Sequence, residues 1–257
     1  MSIRFKEFAW AGMDFAEIDT IEATEPGQPR IYKTPNGHYP SMTSILGVIK
    51  DDDGGLESWV ARVGEEEAHK IMTDAGKRGN QLHDINEKYL RNELTRDMIK
   101  GQGGVLFNRV KKHLDRIDLV VACEVALYSD TLKYAGRTDA VGVIDDKLMI
   151  IDHKNSRRPF NFDLEFSRKK CYKYMLQTTG YQVALEEMTG LVATHGCLIV
   201  GNHLTSNSDM FIFEIEDFLK DDLYEVAKAY HSGDINKSKF NYYNIGTKNE
   251  KFPRVFT

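Results

Sequence analysis

The sequence predicts an α/β fold with a helical N-terminal part, on three observations. Helical spacing of apolar residues dominates positions 56–116. At Leu119 the pattern changes to short apolar strands separated by turn residues. A long helical stretch then divides those strands from two more, and strands bracketed by helices mark the α/β class. A chain of 257 residues, 41% of them hydrophobic, is long enough to bury one sizeable core.

Each element has its own reason. Residues 1–29 read as an N-terminal arm: Asp14, Glu17, Asp19, Glu22 and Glu25 make it acidic, and it ends in Pro26-Gly27-Gln28-Pro29. Residues 30–118 read as a hairpin and a helical part. Arg30–Lys33 and His38–Tyr39 flank Thr34-Pro35-Asn36-Gly37, and the Asn-Gly pair signals a hairpin. Ser41, Thr43 and Ser44 offer N-caps ahead of Ile45-Leu46. Backbone amides there are also candidates for a phosphate contact, with capping the plainer role. Asp51–Gly55 reads as a loop. Helices are expected at Leu56–Thr73 and Arg78–Asn92, split at Ala75-Gly76, with a third over Arg96–Arg116. Residues 119–232 read as the core. Strands are expected at Val120–Tyr128, Thr131–Tyr134, Thr138–Ile144 and Leu148–Asp152, then a helix at Leu164–Met188. Strands at Val192–Val200 and Met210–Ile215 and a helix at Glu216–His231 complete it, and 233–257 is a basic, aromatic tail.

Composition narrows the class. The longest run of hydrophobic residues is Leu119–Cys123, too short to cross a bilayer, and the N-terminus lacks the apolar core of a secretory signal. Cys123, Cys171 and Cys197 are odd in number and widely spaced, which fits buried reduced thiols rather than a disulfide framework or a zinc site. A soluble, cytoplasmic protein is the expectation. The formal net charge of −5 makes nucleic acid an unpromising partner by composition alone.

One constellation changes that. A loop symmetric about Asp145-Asp146 pairs Ile144 with Lys147, and stepping back along both strands pairs Asp139 with Asp152. Directly paired residues share a face, and Lys154 lies on the face of Asp152 because strand side chains alternate. Two adjacent carboxylates repel unless a charge offsets them, and a hard divalent cation does so. A salt-bridged surface hairpin is the competing reading. The flanks Val141-Gly142-Val143-Ile144 and Leu148-Met149-Ile150-Ile151 look buried, which favours a site.

These residues resemble a known superfamily. Gly136-Arg137-Thr138-Asp139, Asp152-His153-Lys154 and Gln177-Thr178-Thr179-Gly180-Tyr181 resemble the ordered motifs of the RecB-like branch of the PD-(D/E)XK nucleases, and Arg78-Gly79-Asn80-Gln81-Leu82-His83 resembles its upstream histidine element. Tyr32–Gly37 and Tyr39–Leu46 look most like the mitochondrial genome-maintenance exonucleases and related phage exonucleases. The likeness covers roughly residues 30–190. It implies a restriction-endonuclease-like core, a mixed central sheet flanked by helices. It also implies that Asp139, Asp152, the backbone carbonyl of His153 and His83 hold one or two Mg2+ or Mn2+ ions. Lys154 would position or help deprotonate the attacking water and stabilise charge on the phosphate. A histidine among oxygen ligands suits manganese better than magnesium. Position 152 is aspartate where the superfamily name also allows glutamate, which keeps the oxygen ligand one methylene shorter. Relatives that bind an iron–sulfur cluster use four cysteines, so none is expected with three. Glu124 resembles an upstream carboxylate and is a candidate further ligand, or an ordinary strand charge. Glu87, one turn after His83, is a candidate to orient it or to bind metal through water, or a solvent-facing acid.

The implied partner is DNA, single-stranded or with free ends. From Lys154 to Lys173 basic residues crowd together: Lys154, Arg157, Arg158, Arg168, Lys169, Lys170 and Lys173, against Asp163 and Glu165. Phe160, Phe162, Phe166, Tyr172 and Tyr174 interleave them, the usual pattern for phosphate neutralisation with base stacking, although at least half are expected in the core. Lys170, Lys173, Gln177 and Tyr181 recur at helical spacing and make one candidate DNA-binding stripe; Arg78, Arg157 and Arg158 join it, with Lys77 beside Arg78. Lys237, Lys239, Lys248, Lys251 and Arg254 repeat the theme in the tail, as a DNA channel, a packed loop or an interface. The resemblance implies an exonuclease of replication, recombination or repair, from a bacterial or phage setting. An endonuclease of the same fold and a non-catalytic nucleic-acid-binding module compete with it; the complete Asp139, Asp152 and Lys154 set argues against the module.

Overall fold

The structure is a computed structural model that describes residues 5–15, 17–21, 28–49, 55–157, 159–233 and 255–256, leaving out the side chains of 21, 55, 56, 166 and 256. In chain order the elements are β1 (Ala9–Trp10), β2 (Asp19–Ile21), β3 (Ile31–Thr34), β4 (Gly37–Pro40), α1 (Met42–Leu46), α2 (Gly55–Val63), α3 (Glu65–Leu90) and α4 (Gly101–Leu114). There follow β5 (Leu119–Ser129), β6 (Tyr134–Ile144), β7 (Lys147–Ser156), α5 (Glu165–Thr189), β8 (His195–Asn202), β9 (Ser208–Glu214), α6 (Asp217–Ser232) and β10 (Val255–Phe256). The large sheet runs β1-β5-β6-β7-β8-β9-β10, and β2-β3-β4 form a small one. β1–β5 and β7–β8 are parallel and the other neighbours antiparallel, so the sheet is mixed. This is the mixed α/β architecture expected, compatible with a restriction-endonuclease-like core. Among the described residues no helix is long and apolar enough to cross a membrane.

Strand alternation builds two cores. Val141, Ile150, Leu198 and Phe213 pack with Met42, Tyr172, Leu176 and Leu223, so α1, α5 and α6 cover one face. Ala140, Ile151, Cys197 and Ile199 pack with Leu82, Tyr89, Leu106 and Phe107, so α3 and α4 cover the other. All three cysteines are buried and free, as expected. Burial pushes each thiol well above its ordinary pKa, which keeps it protonated and inert.

The β6–β7 hairpin turns on two left-handed residues, Asp145 (φ 50°) and Asp146 (φ 60°), the backbone that a two-residue hairpin loop requires. The register therefore starts at Ile144↔Lys147 and reaches Ala140↔Ile151. There the sheet forks: β6 continues beside β5 as far as Ser129↔Tyr134, and β7 continues beside β8 as far as Ser156↔Asn202. Asp139 and Asp152 are the first residues past the fork.

Several expected boundaries move. Gly76 does not break the helix, because α3 runs through it; the break is Gly64, whose φ of 89° only glycine adopts readily. The expected strand at Thr131–Tyr134 is instead a turn with Lys133 left-handed (φ 54°), feeding straight into β6. The third helix is a 3-10 turn at Arg96–Met98 followed by α4. The first hairpin turns at Pro35-Asn36, with Gly37 already in β4. Arm residues also enter the sheets, as β1 beside β5 and β2 beside β3.

Candidate metal centre

The fork brings five polar side chains together: Asp139, His83, His153, Asp152 and Lys154. Asp139 stands 9% exposed where the β6–β7 ladder stops, and its Oδ2 accepts the His153 amide at 2.5 Å in place of a strand partner. Its Oδ1 lies 3.0 Å from His83 Nδ1, delivered by α3. That approach depends on Gly79, one turn earlier on the same helix face: a Cβ there would sit 2.9 Å from Asn155 Nδ2 on β7. The His153 imidazole is 2% exposed, with Nδ1 3.9 Å from Asp139 Oδ2 and its ring 6.0 Å from that of His83. Among the described residues, His83, Asp139 and His153 form the group whose donor atoms converge as metal ligands do, all within 4.8 Å of one another.

Asp152 and Lys154 occupy the α5 side. The Lys154 ammonium lies 2.8 Å from both Asp152 carboxylate oxygens, 3.2 Å from Gln177 Oε1 and 4.8 Å from the Tyr174 ring centroid. Gln177 in turn donates to the Tyr181 hydroxyl at 3.3 Å. Gly136 makes room for that hydroxyl, since a Cβ there would come within 2.9 Å of it. The Gly-x-x-Asp and Gln-x-x-x-Tyr elements thus meet physically.

Electrostatics separate the two carboxyls. Burial raises the pKa of Asp139, but His83, His153 and Lys154 outweigh it and hold the carboxyl well below the usual range. Burial raises Asp152 to about 6, with Lys154 opposing and Asp139 adding to the rise. Burial lowers His83, yet the charge and hydrogen bond of Asp139 prevail and lift it to about 9. Burial holds the His153 imidazole neutral, at about 4. Burial also disfavours the Lys154 cation, and Asp152 and Asp139 more than restore it, leaving its pKa above the ordinary lysine value.

The donor set fits a divalent cation. His153 Nε2 is buried without a hydrogen-bond partner, an arrangement that costs about 1–3 kcal/mol unless a ligand satisfies it. Carboxylate oxygens with imidazole nitrogens suit a divalent ion that accepts both oxygen and nitrogen donors.

The other expected residues separate into groups. Glu124 lies opposite Asp139, between the register pairs Cys123↔Ala140 and Val125↔Thr138, in a left-handed backbone (φ 51°). Burial, then the charge of Asp139, raises its pKa to about 7. Glu87 does not orient His83; it pairs with Arg91 at 2.9 Å. Arg78 donates to Gln102 at 3.2 Å, and Lys77 and Arg157 are exposed. Lys170 lies half-buried, 5.6 Å from the Phe160 ring centroid, and burial lowers its pKa. Lys173 and Gln177 are half-buried, whereas Tyr181 is 3% exposed and offers no surface to DNA. The stripe therefore runs from half-buried at Lys170 to buried at Tyr181. Of the interleaved aromatics, Tyr172 is core, and Phe160, Phe162 and Tyr174 pack against it, so packing takes four of the five. Ser41 caps α1 through its hydroxyl at 3.1 Å from the Ser44 amide, the plainer of its two roles. Arg158, the Phe166 side chain and tail positions 237–254 lie outside the described residues. Sequence reasoning missed the His153 imidazole; its signal was a histidine between two site residues in a buried hairpin.

No known family profile matches the chain. It is 28% identical over 180 residues to mitochondrial genome maintenance exonuclease 1 of Homo sapiens. The match takes in 66% of this chain and 51% of the human protein, so the chain spans about half the length of that relative. The similarity supports a nuclease role, and the donor set fits a divalent metal.

Proposed function

We propose that the chain is a metal-dependent DNA exonuclease of the RecB-like type, hydrolysing phosphodiester bonds of single-stranded DNA or DNA ends in replication, recombination or repair. The observation that carries this reading is the fork in the sheet, which gathers Asp139, Asp152, Lys154 and His83 around one gap. The likeness to an exonuclease supports the same reading.

His83, Asp139 and Asp152, with the backbone carbonyl or imidazole of His153, would hold one or two Mg2+ or Mn2+ ions; Glu124 is close enough in register to add a carboxylate. When bound, such an ion supplies Lewis acidity toward the phosphoryl oxygen and lowers the pKa of water. Lys154 stays a cation, because Asp152 and Asp139 hold its proton. Its task is therefore to orient water and stabilise charge on the phosphate rather than to take a proton as a free amine. Asp152 and Gln177 fix the ammonium from two sides. Arg157 and Arg78 lie near the end of β7 and would contact DNA phosphate, with Lys170 and Lys173 along the approach.

The test is turnover of labelled single-stranded DNA, linear and circular, in Mn2+ and in Mg2+. The reading expects linear strands to be degraded, circles to persist, Mn2+ to be the better ion, and both Lys154→Ala and Asp152→Ala to slow cleavage by about 100-fold or more. Efficient cutting of circles would replace the exonuclease by an endonuclease of the same fold. Unchanged cleavage in a chelator would end the metal assignment.

A further inference from the structure

Beyond the fork, basic side chains from four segments gather on the α3–α4 side of the sheet. The carbonyl of Ser156, the last residue of β7, accepts from both the amide and Nδ1 of His203 at 3.0 Å each. Leu204 donates to the Arg157 carbonyl at 3.4 Å, so the chain leaving β8 follows the chain leaving β7. Arg109 of α4 donates through Nη1 to the Asn202 carbonyl, next to His203. Arg78 of α3 precedes Gly79, the residue that packs on Asn155. His203 lies in their combined field: burial first, then the charges of Arg78, Arg157 and Arg109, lower its pKa.

Like charges gathered at one sheet end repel, and no carboxylate among the described residues pairs with them. Among the described residues Arg91 pairs with Glu87 and Arg116 with Asp145, but Arg78, Arg109 and Arg157 pair with no carboxylate. The acceptors of Arg78 and Arg109 are a neutral amide and a neutral carbonyl. Arg78 Nε is buried without a partner, as is the Thr205 hydroxyl just after His203. Guanidinium forks without an acidic partner match a phosphate in geometry and charge.

We propose that Arg78, Arg109, Arg157 and His203 bind the terminal phosphate monoester of a DNA strand; the proposal rests on the nuclease reading above. A phosphate within a strand carries one negative charge, whereas a monoester carries about −1.5 to −2 at neutral pH. Three uncompensated guanidiniums therefore favour the end over the interior. Arg157 lies three residues beyond Lys154, about 10 Å of extended chain at ~3.3 Å per residue. At about 3.4 Å of stacked strand per nucleotide, a phosphate held there sets the cut within about three nucleotides of the end.

The experiment uses the full chain, Mn2+ and three otherwise identical linear single strands, bearing a 5′-phosphate, a 3′-phosphate or hydroxyls at both ends. The parent is expected to favour one phosphorylated end by about tenfold or more in kcat/KM, the scale of one charge-assisted hydrogen bond. Which phosphate is favoured identifies the strand end. Arg157→Ala, at an exposed position, and Arg109→Lys, which keeps the charge but loses the fork, should each bring the ratio toward one. Equal rates on all three strands by an active parent overturn the phosphate site and leave the nuclease reading standing. Variants that slow all three strands in proportion also overturn it, because the cluster is then an internal backbone contact. If the parent cleaves none of the strands, the nuclease reading fails instead, and Kd values for the same strands in Ca2+ decide the site. Tighter binding of a phosphorylated strand, lost in Arg157→Ala, supports the site; equal Kd values overturn it.

Discussion

The two faces of the sheet meet the same pair of carboxylates and treat them differently. On the α5 side Asp152 is matched by a lysine 2.8 Å from each of its oxygens, and that lysine is steadied by Gln177. On the α3 side Asp139 meets two imidazoles and a backbone amide, and one imidazole nitrogen, His153 Nε2, has no partner. The first side balances its charge from within the chain. The second presents donor atoms that converge without balancing. The lesson is a division of labour, with a fixed cation on one face and a ligand-ready group on the other.

The largest break in this comparison is removal of the α5 pair. Lys154→Ala and Asp152→Ala are each expected to lower the cleavage rate by about 10²–10⁴-fold while leaving the far-ultraviolet circular dichroism unchanged. Near-parental rates would show that the pair is only structural. On the opposite face, His83→Ala should weaken Mn2+ binding by about 100-fold or more by titration calorimetry, with the Asp152–Lys154 pair intact. If Lys154→Ala weakened Mn2+ binding as much as His83→Ala did, the division between the faces would be wrong.

A smaller change tests how the α5 side is positioned. In Gly136→Ala the new methyl would meet the Tyr181 ring and hydroxyl at 2.8–2.9 Å, forcing the ring and then Gln177 away from Lys154. The expected cost is about 1–3 kcal/mol in chemical denaturation, with a lower kcat and an unchanged Mn2+ affinity. The gentlest test is pH. In the metal-free protein His83 keeps its proton up to about pH 9, and a metal must displace that proton. Mn2+ affinity should therefore rise with pH until about pH 9, by at most about tenfold per unit, and His83→Gln should flatten the slope. The same shift is upward from the ordinary 6.5, so its contribution to metal-free stability is full below that pH and is lost as pH rises through about 9.

Much of the site was legible because its register is local. Asp145 and Asp146 set a turn, and the turn sets the pairing as far as Ala140↔Ile151; the expected Asp139–Asp152 pair falls one step beyond the ladder, leaving the two carboxylates at its open end. What was not legible depends on long-range contacts. Nothing local says that β6 and β7 part after Ala140↔Ile151, because each is drawn off by a different neighbour. Nothing local turns Tyr181 inward; helical spacing fits an exposed stripe equally well, and the choice is made by Gly136 on another strand. Gly76 reads as a breaker, yet no positive φ is required of it, while Gly64 must adopt one. Arg109 and His203 lie far from every motif, and only the ends of β7 and β8 bring them together.

The fork has one more consequence, in the direction of its hydrogen bonds. The amide of His153 donates to one oxygen of Asp139, and the protonated His83 faces the other. The position thus demands an acceptor on both sides. Asparagine supplies an acceptor on one side and a donor on the other. In Asp139→Asn the side-chain oxygen can serve the amide only if its NH2 group turns to His83, which must then offer a lone pair at Nδ1 and carry its proton on Nε2. The customary isosteric swap therefore resets a tautomer as well as deleting a charge.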